Sequence, residues 1–226
     1  MDYRLQFDVT ETAYTARLTT EQEVVKTWDV NLVTNNITEI FARLIEELVM
    51  VNNTLITKQD HLTLAEFKLF KRWLAIEQPG LPIAGVLNGD GSAMKYLEAL
   101  RMNGIGGQLE RKDGIDFDAQ TPLVLTLQYK NDQERAYART VKYEDLSTYF
   151  AEQLLSRSVI ERSLATWTGF YNQATGRWDR QALAVTGVAP EQLPEIVDTP
   201  LLGRIEASFA GEYNLDSAMQ IKVMTK

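Results

Sequence analysis

The sequence is short of the residues that most metal and nucleophile chemistry requires. It contains no cysteine and a single histidine, His61, in 226 residues. Disulfides, thiolate zinc sites and cysteine nucleophiles are therefore excluded, and a Ser-His-Asp triad is disfavoured. We expect His61 to be a surface or capping residue, because no second His or Cys exists to complete a metal site. The chemistry of this chain must come mainly from carboxylates, hydroxyls and backbone amides.

Basic residues and long apolar runs are also scarce. Lys and Arg total 23 against 31 Asp and Glu, which gives a net charge of −8. This acidic balance argues against nucleic acid as the main partner, because phosphate neutralisation needs clustered Lys and Arg. No apolar run approaches the roughly 18 residues of a membrane span, and the N-terminus lacks the basic start and apolar core of a signal peptide. We therefore expect a cytoplasmic α/β or α+β protein with no membrane partner.

The first third of the chain shows the clearest periodicity. Residues 3–9, 13–18 and 23–30 alternate apolar with polar side chains, and the short connections predict an antiparallel three-strand meander. A helix capped by Asn35 or Asn36 is expected next. Its apolar residues recur at helical spacing: Ile37, Ile40, Phe41, Leu44, Ile45, Leu48 and Val49.

The pattern beyond residue 60 is more mixed. The predicted elements are helices over 64–77, 92–104 and 143–156, strands over 81–87 and 122–129, and a loop over 106–118. Lys68, Lys71 and Arg72 are expected to form a solvated basic face on the first of these helices. Asp90 is expected to mark a turn with Gly91.

This order of elements predicts the fold class. Three strands followed by helices and strands in alternation is the order of the ribonuclease-H-like module of actin-like and sugar-kinase ATPases. No G-x-G-x-x-G motif follows the first strand, which argues against a dinucleotide-binding fold. We predict one α/β domain over 1–226, with the core sheet and helices in 1–142 and a C-terminal segment in 143–226.

The C-terminal segment carries the most specific motifs. These are the runs Ser163 to Asn172 (SLATWTGFYN), Thr175 to Asp179 (TGRWD) and Glu191 to Val197 (EQLPEIV). Together they resemble the end of the N-terminal domain of FGGY-family carbohydrate kinases, which reads Ser-x-Ala-Ser-x-Thr-Gly-Leu-Phe-Asn, Thr-x-x-Trp-Asp and Leu-Pro-Glu-Ile. We expect Gly169 and Gly176 to form tight turns and Asp179 to cap a helix, so these residues support the fold more than catalysis.

The resemblance implies a nucleotide site in the first hairpin. Family members read Asp-Ile-Gly-Thr-Thr-Ser where this chain has Asp8 to Ala13 (DVTETA). Nucleotide binding by Asp8, Thr10 and Thr12 is implied, with Asp8 as the metal ligand. Thr10 replaces the glycine, however, and Glu11 adds a negative charge with no cation nearby in the sequence, which would repel phosphate. The alternative is that Asp8 is only a turn residue.

The resemblance also implies a substrate site after the predicted strand 122–129. Family members carry Trp-x-Asp-x-Arg or Asp-Gln-Arg there, and this chain has Asp132, Gln133 and Arg135. Their paired acceptors and donors suit the hydroxyls of a sugar or polyol. The alternative is a charged helix start, which is common after a strand.

The family's activity is ATP-dependent phosphoryl transfer to a sugar or polyol, so the implied cofactors are ATP and Mg. Its catalytic base lies in a Gly-Asp motif that opens a second domain, whereas residues 215–226 contain Asp216 but no such pair. We therefore assign no catalytic residue and expect no catalysis by this chain alone, with a second kinase domain or another copy of the chain as partner. The alternative is a non-catalytic structural or interaction protein that uses an actin-like fold for assembly.

Overall fold

The computed structural model describes residues 1–78, 81–86 and 91–226. In chain order the strands are β1 (Asp2–Val9), β2 (Ala13–Thr19), β3 (Val24–Asn31), β4 (His61–Leu69), β5 (Trp73–Gln78), β6 (Leu81–Val86), β7 (Lys142–Asp145), β8 (Val159–Glu161), β9 (Tyr171–Asn172), β10 (Arg177–Trp178), β11 (Glu195–Val197), β12 (Leu201–Arg204) and β13 (Gln220–Thr225). The helices are α1 (Ile37–Ile56), α2 (Ala93–Met102), α3 (Ile105–Asp113), α4 (Pro122–Asp132), α5 (Glu134–Arg139), α6 (Leu146–Leu155), α7 (Arg162–Trp167), α8 (Arg180–Thr186) and α9 (Ala207–Glu212). Among the described residues, no helix is long and apolar enough to cross a membrane.

The chain divides into two compact units. Unit 1 comprises Met1–Lys71, Leu146–Val159 and Thr199–Lys226. Unit 2 comprises Arg72–Asp145 and Ile160–Asp198. The boundary expected between residues 142 and 143 falls inside β7. The C-terminal segment 143–226 is shared between the two units, since Leu146–Val159 and Thr199–Lys226 belong to unit 1.

Unit 1 is built on a six-stranded sheet with the order β12-β13-β4-β1-β2-β3. The predicted meander is confirmed, since β1 pairs antiparallel with β2 and β2 pairs antiparallel with β3. On the other side, β1 runs parallel to β4, and β4 runs parallel to β13. The carboxyl ends of β1, β4 and β13 therefore lie at one edge of the sheet.

The core of unit 1 follows from the alternation in its strands. Phe7 stacks on Phe67 with ring centroids 5.1 Å apart, and Phe150 of α6 contacts both Phe67 and Phe41 of α1. The predicted helix α1 is confirmed, and the Asn36 side chain caps it by accepting from the next amides. Burying this aromatic cluster supplies the apolar contact that a half-buried sheet needs.

The predicted helix over 64–77 is wrong, because this stretch forms the strands β4 and β5. Phe67, Phe70, Trp73 and Leu74 are spaced as on a helix face, but the buried residues of β4 include Phe67 and Leu69, two apart. Pairing with β1 and β13 overrides the local helical spacing. The expected basic helix face therefore does not exist: Lys68 lies on β4, and Lys71 and Arg72 lie between the strands.

Unit 2 is mainly helical, with a three-stranded sheet of order β6-β5-β7. Its core forms around Trp73 and Phe170, whose rings stack 6.1 Å apart. The Trp73 indole donates a hydrogen bond to the Thr126 hydroxyl over 3.1 Å, so the polar end of this buried ring is satisfied.

Three predictions in the middle of the chain are wrong. Residues 122–129 belong to helix α4 rather than a strand, and every residue from 121 to 127 is buried, which hides the helical period. The expected loop over 106–118 contains helix α3, in which Gly106 packs against the backbone of Leu100 and Arg101. The expected helix over 143–156 begins only at Leu146, after the strand β7.

Other predictions in this region stand. The strand β6 and the helix α2 are confirmed. Ser92 precedes α2 but makes no side-chain capping bond to it; its hydroxyl accepts from the Gln128 amide instead. The expected turn at Asp90 lies outside the described residues.

Candidate functional site

The carboxyl edge of the unit 1 sheet brings one carboxylate and two lysines together. Asp8 of β1 lies opposite Lys68 of β4, which in turn lies opposite Met224 of β13. Lys226 directly follows β13, and its amide donates to the Leu69 carbonyl over 2.9 Å. In α/β sheets the ends of parallel strands are where ligands bind, so this edge is the candidate site of unit 1.

Asp8 and Lys226 form an ion pair at this edge. The Lys226 side chain is 32% exposed and that of Asp8 is 44% exposed, so both groups remain reachable from solvent. A cation therefore lies beside Asp8 in this hairpin. The local sequence could not show this, because Lys226 reaches Asp8 only through the pairing of strands from opposite ends of the chain.

The β1–β2 turn places Thr10 and Thr12 near Asp8 in the sequence. Several polar groups of the two threonines already make hydrogen bonds within unit 1. The Thr10 amide donates to the Ala13 carbonyl over 2.8 Å, and the Thr10 hydroxyl both donates to that carbonyl and accepts from the Ala13 amide. The Thr12 carbonyl accepts from the Leu32 amide. Both threonines are exposed. The Thr10 amide, a donor that such a turn could offer to a phosphate, is thus already bonded within the turn.

The residues at this edge do not fit a divalent metal held by the protein alone. In the described ranges, no group of three or more His, Asp or Glu side chains could hold a metal ion. Asp8 is the expected metal ligand, and the structure gives its carboxylate to the Lys226 ammonium. Mg²⁺ prefers an octahedral shell of oxygens and keeps several waters, with one or two carboxylates and substrate phosphates completing the shell.

The residues predicted to bind substrate lie in unit 2, at the junction of α4 and α5. Asp132 ends α4, Gln133 joins the two helices, and Arg135 lies in the first turn of α5. All three are exposed. Asp132 accepts hydrogen bonds from the Lys95 ammonium, over 3.2 Å, and from the Tyr96 hydroxyl. They follow a helix and not the predicted strand, and their role as substrate ligands stays a prediction.

The C-terminal motif has the architectural role expected of it. Gly169 and Gly176 adopt left-handed backbone conformations, with φ of 76° and 68°. The Asp179 carboxylate accepts from the amides of Gln181 and Ala182 and so caps α8. The Trp178 indole donates to the Pro194 carbonyl over 2.9 Å, which ties the β9–β10 turn to the Leu-Pro segment.

Asp113 is a buried carboxyl that the sequence did not single out. Its side chain has no exposure, and neither oxygen has a hydrogen-bond partner of ordinary geometry among the described residues. Burial, with a smaller effect of the Asp179 carboxylate, raises the pKa of Asp113 to about 8. Asp113 is therefore mostly a neutral acid at pH 7. The segment was expected to be a loop, where a carboxyl would stay solvated.

Comparison with known families identifies the family of this chain. The family model for the N-terminal domain of the FGGY family of carbohydrate kinases matches residues 9–221. The chain belongs to the FGGY family. The motifs at 163–179 and 191–197 that suggested this relationship fall inside the matched range.

Curated relatives are gluconokinases. The chain is 27% identical over 131 residues to gluconokinase of Bacillus subtilis (strain 168), and 23% identical over 127 residues to that of Bacillus licheniformis. Each match covers 56% of this chain and 25% of the relative. The chain thus matches only about a quarter of the length of these kinases.

Solved structures confirm the predicted fold class. The gluconate kinase from Lactobacillus acidophilus superposes with a TM-score of 0.82 at 18% identity, covering 99% of this chain and 48% of that protein. Plasmodium falciparum glycerol kinase, solved with ADP, gives 0.78 at 13% identity, covering 100% of this chain and 48% of that protein. The chain therefore has the actin-like, ribonuclease-H-like fold of FGGY kinases and spans about half of their length.

Proposed function

We propose that this chain is the sugar-binding and nucleotide-binding half of a cytoplasmic carbohydrate kinase. The family match over 9–221 is the observation that carries the proposal. A kinase of this family transfers a phosphoryl group from ATP to a sugar or polyol hydroxyl. Gluconate is the first substrate to test, because the curated relatives are gluconokinases.

The proposed reaction needs a second domain. The substrate hydroxyl oxygen attacks the γ-phosphorus of ATP, the bond to the β,γ-bridging oxygen breaks, and ADP leaves with that oxygen. The hydroxyl proton passes to a general base, which must lie within hydrogen-bond reach of the substrate. We assign no residue of this chain to that role and propose that a second kinase domain supplies it.

Within this chain we propose nucleotide binding at the carboxyl edge of the unit 1 sheet. The edge holds Asp8, the β1–β2 turn with Thr10 and Thr12, and the two lysines Lys68 and Lys226. Lysine is a frequent phosphate ligand because its ammonium acts as a mobile point charge. Because the chain has a net charge of −8, two lysines at one sheet edge support an anion-binding role for that edge.

For the sugar we propose Asp132, Gln133 and Arg135, which offer a carboxylate, an amide and a guanidinium on one exposed helix junction. Arg135 would pair with the carboxylate of a sugar acid. Arg135→Ala should weaken gluconate binding about tenfold or more, as expected for a lost charged hydrogen bond. Arg111→Ala, which removes another exposed arginine of unit 2, is the matched control. Equal affinities of the two variants would place the sugar elsewhere.

The proposed function is tested by calorimetry on the whole chain. Mg-ATP and a panel of gluconate, xylulose, glycerol and pentitols are titrated separately. We expect saturable heat with the nucleotide and with at least one member of the panel. No heat with any of them would contradict ligand binding by this chain.

A specific observation favours the alternative of an assembly protein. Strand β3 is an edge of the six-stranded sheet, and its Val24 and Val25 are 57% and 47% exposed. Exposed apolar edge strands are templates for pairing with another chain. If the chain assembles in this way, its mass on a sizing column should rise with concentration, and Val25→Lys should abolish that rise. A constant monomer mass would contradict this alternative.

A further inference from the structure

We infer that Lys226, rather than a divalent metal, neutralises Asp8, and that phosphates at this edge are met directly by the ammonium groups of Lys226 and Lys68. This inference rests on the proposed nucleotide binding and departs from the family-based expectation of a metal at Asp8. It predicts nucleotide binding that does not require Mg²⁺.

The geometry supports it first through the ion pair itself. The Lys226 ammonium contacts the Asp8 carboxylate. The Lys226 amide is fixed by the Leu69 carbonyl over 2.9 Å, so the base of this side chain is anchored to the end of β4. A cation is thus built into the position where the resemblance expects a metal ion.

Strand register adds a second lysine. Lys68 lies beside Asp8 across β1 and β4. A metal ion bound to Asp8 would have to approach Lys226 and Lys68 together, and like charges at short range repel. A phosphate approaching the same edge is attracted by both lysines. With two lysines beside it, the Asp8 carboxylate is a poorer site for a divalent cation than a lone carboxylate would be.

The turn chemistry points the same way. Thr10 stands where the resembling motif has glycine, and its amide and hydroxyl are bonded to Ala13. The Thr10 amide therefore cannot also donate to a phosphate without opening the turn. Long lysine side chains can reach a phosphate without that change, because their flexible stems carry the charge outward.

The test is calorimetric titration of ADP into the whole chain, once with excess Mg²⁺ and once with EDTA. The wild-type chain should bind ADP equally in both buffers. Lys226→Met should weaken ADP binding in EDTA about tenfold, as expected for one charged hydrogen bond. Adding Mg²⁺ should recover part of that loss, because the variant leaves Asp8 without its lysine.

Two further variants sharpen the result. Lys222→Met removes a lysine of β13 whose ammonium pairs with Glu66 at 3.6 Å and not with Asp8, so this variant should bind ADP like the wild type. Asp8→Asn should bind ADP in EDTA at least as tightly as the wild type, because it frees Lys226. A metal-ligand role for Asp8 predicts instead that Asp8→Asn loses binding in Mg²⁺.

The outcomes separate the inference from the proposed function. Wild-type binding that appears only with Mg²⁺ would overturn the inference and leave nucleotide binding in place. An unchanged ADP affinity of Lys226→Met in EDTA would overturn it as well. The absence of ADP binding in both buffers would overturn the inference together with the nucleotide part of the proposed function.

Discussion

The two units of this chain differ in the surroundings of their charged groups. Unit 1 has a core of aromatic and aliphatic side chains and leaves Asp8, Lys68 and Lys226 partly or largely exposed at one edge of its sheet. Both units also bury carboxyls. Glu47 of unit 1 is 7% exposed and accepts hydrogen bonds from the Tyr14 hydroxyl and the Trp28 indole. In unit 2, Asp179 is 4% exposed, and Asp113 is fully buried with no hydrogen-bond partner for either oxygen among the described residues.

The two buried carboxyls of unit 2 also differ from each other. Asp179 has four polar partners, which are the helix amides, Lys112 and Asn172, and so it serves the structure of its unit. Asp113 costs stability wherever it must ionise, because an isolated charge is unfavourable inside protein. In unit 1, by contrast, Asp8 and Lys226 pair with each other at a position that solvent reaches.

The largest effect is expected from removing the aromatic centre of unit 1. Phe67 is fully buried and contacts both Phe7 and Phe150. Phe67→Ala should lower the free energy of unfolding by about 3–5 kcal/mol, measured by urea denaturation. Val33→Ala, at a fully exposed site, should change it by less than about 0.5 kcal/mol. A loss as small as that of the control would contradict this description of the core.

A smaller loss is expected from the tight turn of unit 2. Gly169 has a φ of +76°, and an added Cβ would lie 2.9 Å from a Thr121 methyl carbon and 3.0 Å from the Leu123 Cβ. Gly169→Ala should cost about 2–3 kcal/mol, from the left-handed conformation and the close contacts together. Gly91→Ala is the matched control, because nothing lies within 4 Å of the added Cβ there. Equal stabilities of the two variants would show that the turn relaxes without strain.

The buried acid of unit 2 predicts a pH effect. The pKa of Asp113 is raised to about 8 in the folded chain, whereas a carboxyl in the unfolded chain titrates near pH 4. The folded state therefore holds a proton that the unfolded state releases. The stability that this proton provides is complete below about pH 4 and is lost as the pH rises through about 8.

Asp113→Asn cannot ionise and should not show this loss. Between about pH 6 and pH 7.5 the wild type should lose about 1–2 kcal/mol more stability than the variant. The measurement is urea denaturation across that range, with Asp116→Asn, at an exposed site of the same segment, as control. Parallel pH curves for wild type and Asp113→Asn would contradict a neutral Asp113.

Local sequence patterns predicted the parts of the fold in which one face of an element is buried. The strands β1 and β2 alternate strictly, and α1 carries a clear apolar stripe with a capping Asn36. The prediction failed for α4, which is buried on nearly all sides and so has no period, and for β4, whose aromatic spacing also fits a helix.

The candidate site was predictable only in part. Asp8, Thr10 and Thr12 lie within five residues of one another and could be recognised from a motif. Lys226 could not, because its contact with Asp8 arises from the parallel alignment of β1, β4 and β13 and from no local pattern. Asp113 could not be predicted, because burial and not residue type raises its pKa.

We propose that unit 1 receives the nucleotide at the carboxyl edge of its sheet. Hydrogen–deuterium exchange of the whole chain, with and without ADP, tests this claim most directly. ADP should slow exchange in residues 9–13 and in the segments that follow β4 and end β13, while α3 and the β9–β10 turn of unit 2 stay unchanged. Protection confined to unit 2, or no protection anywhere, would contradict the claim.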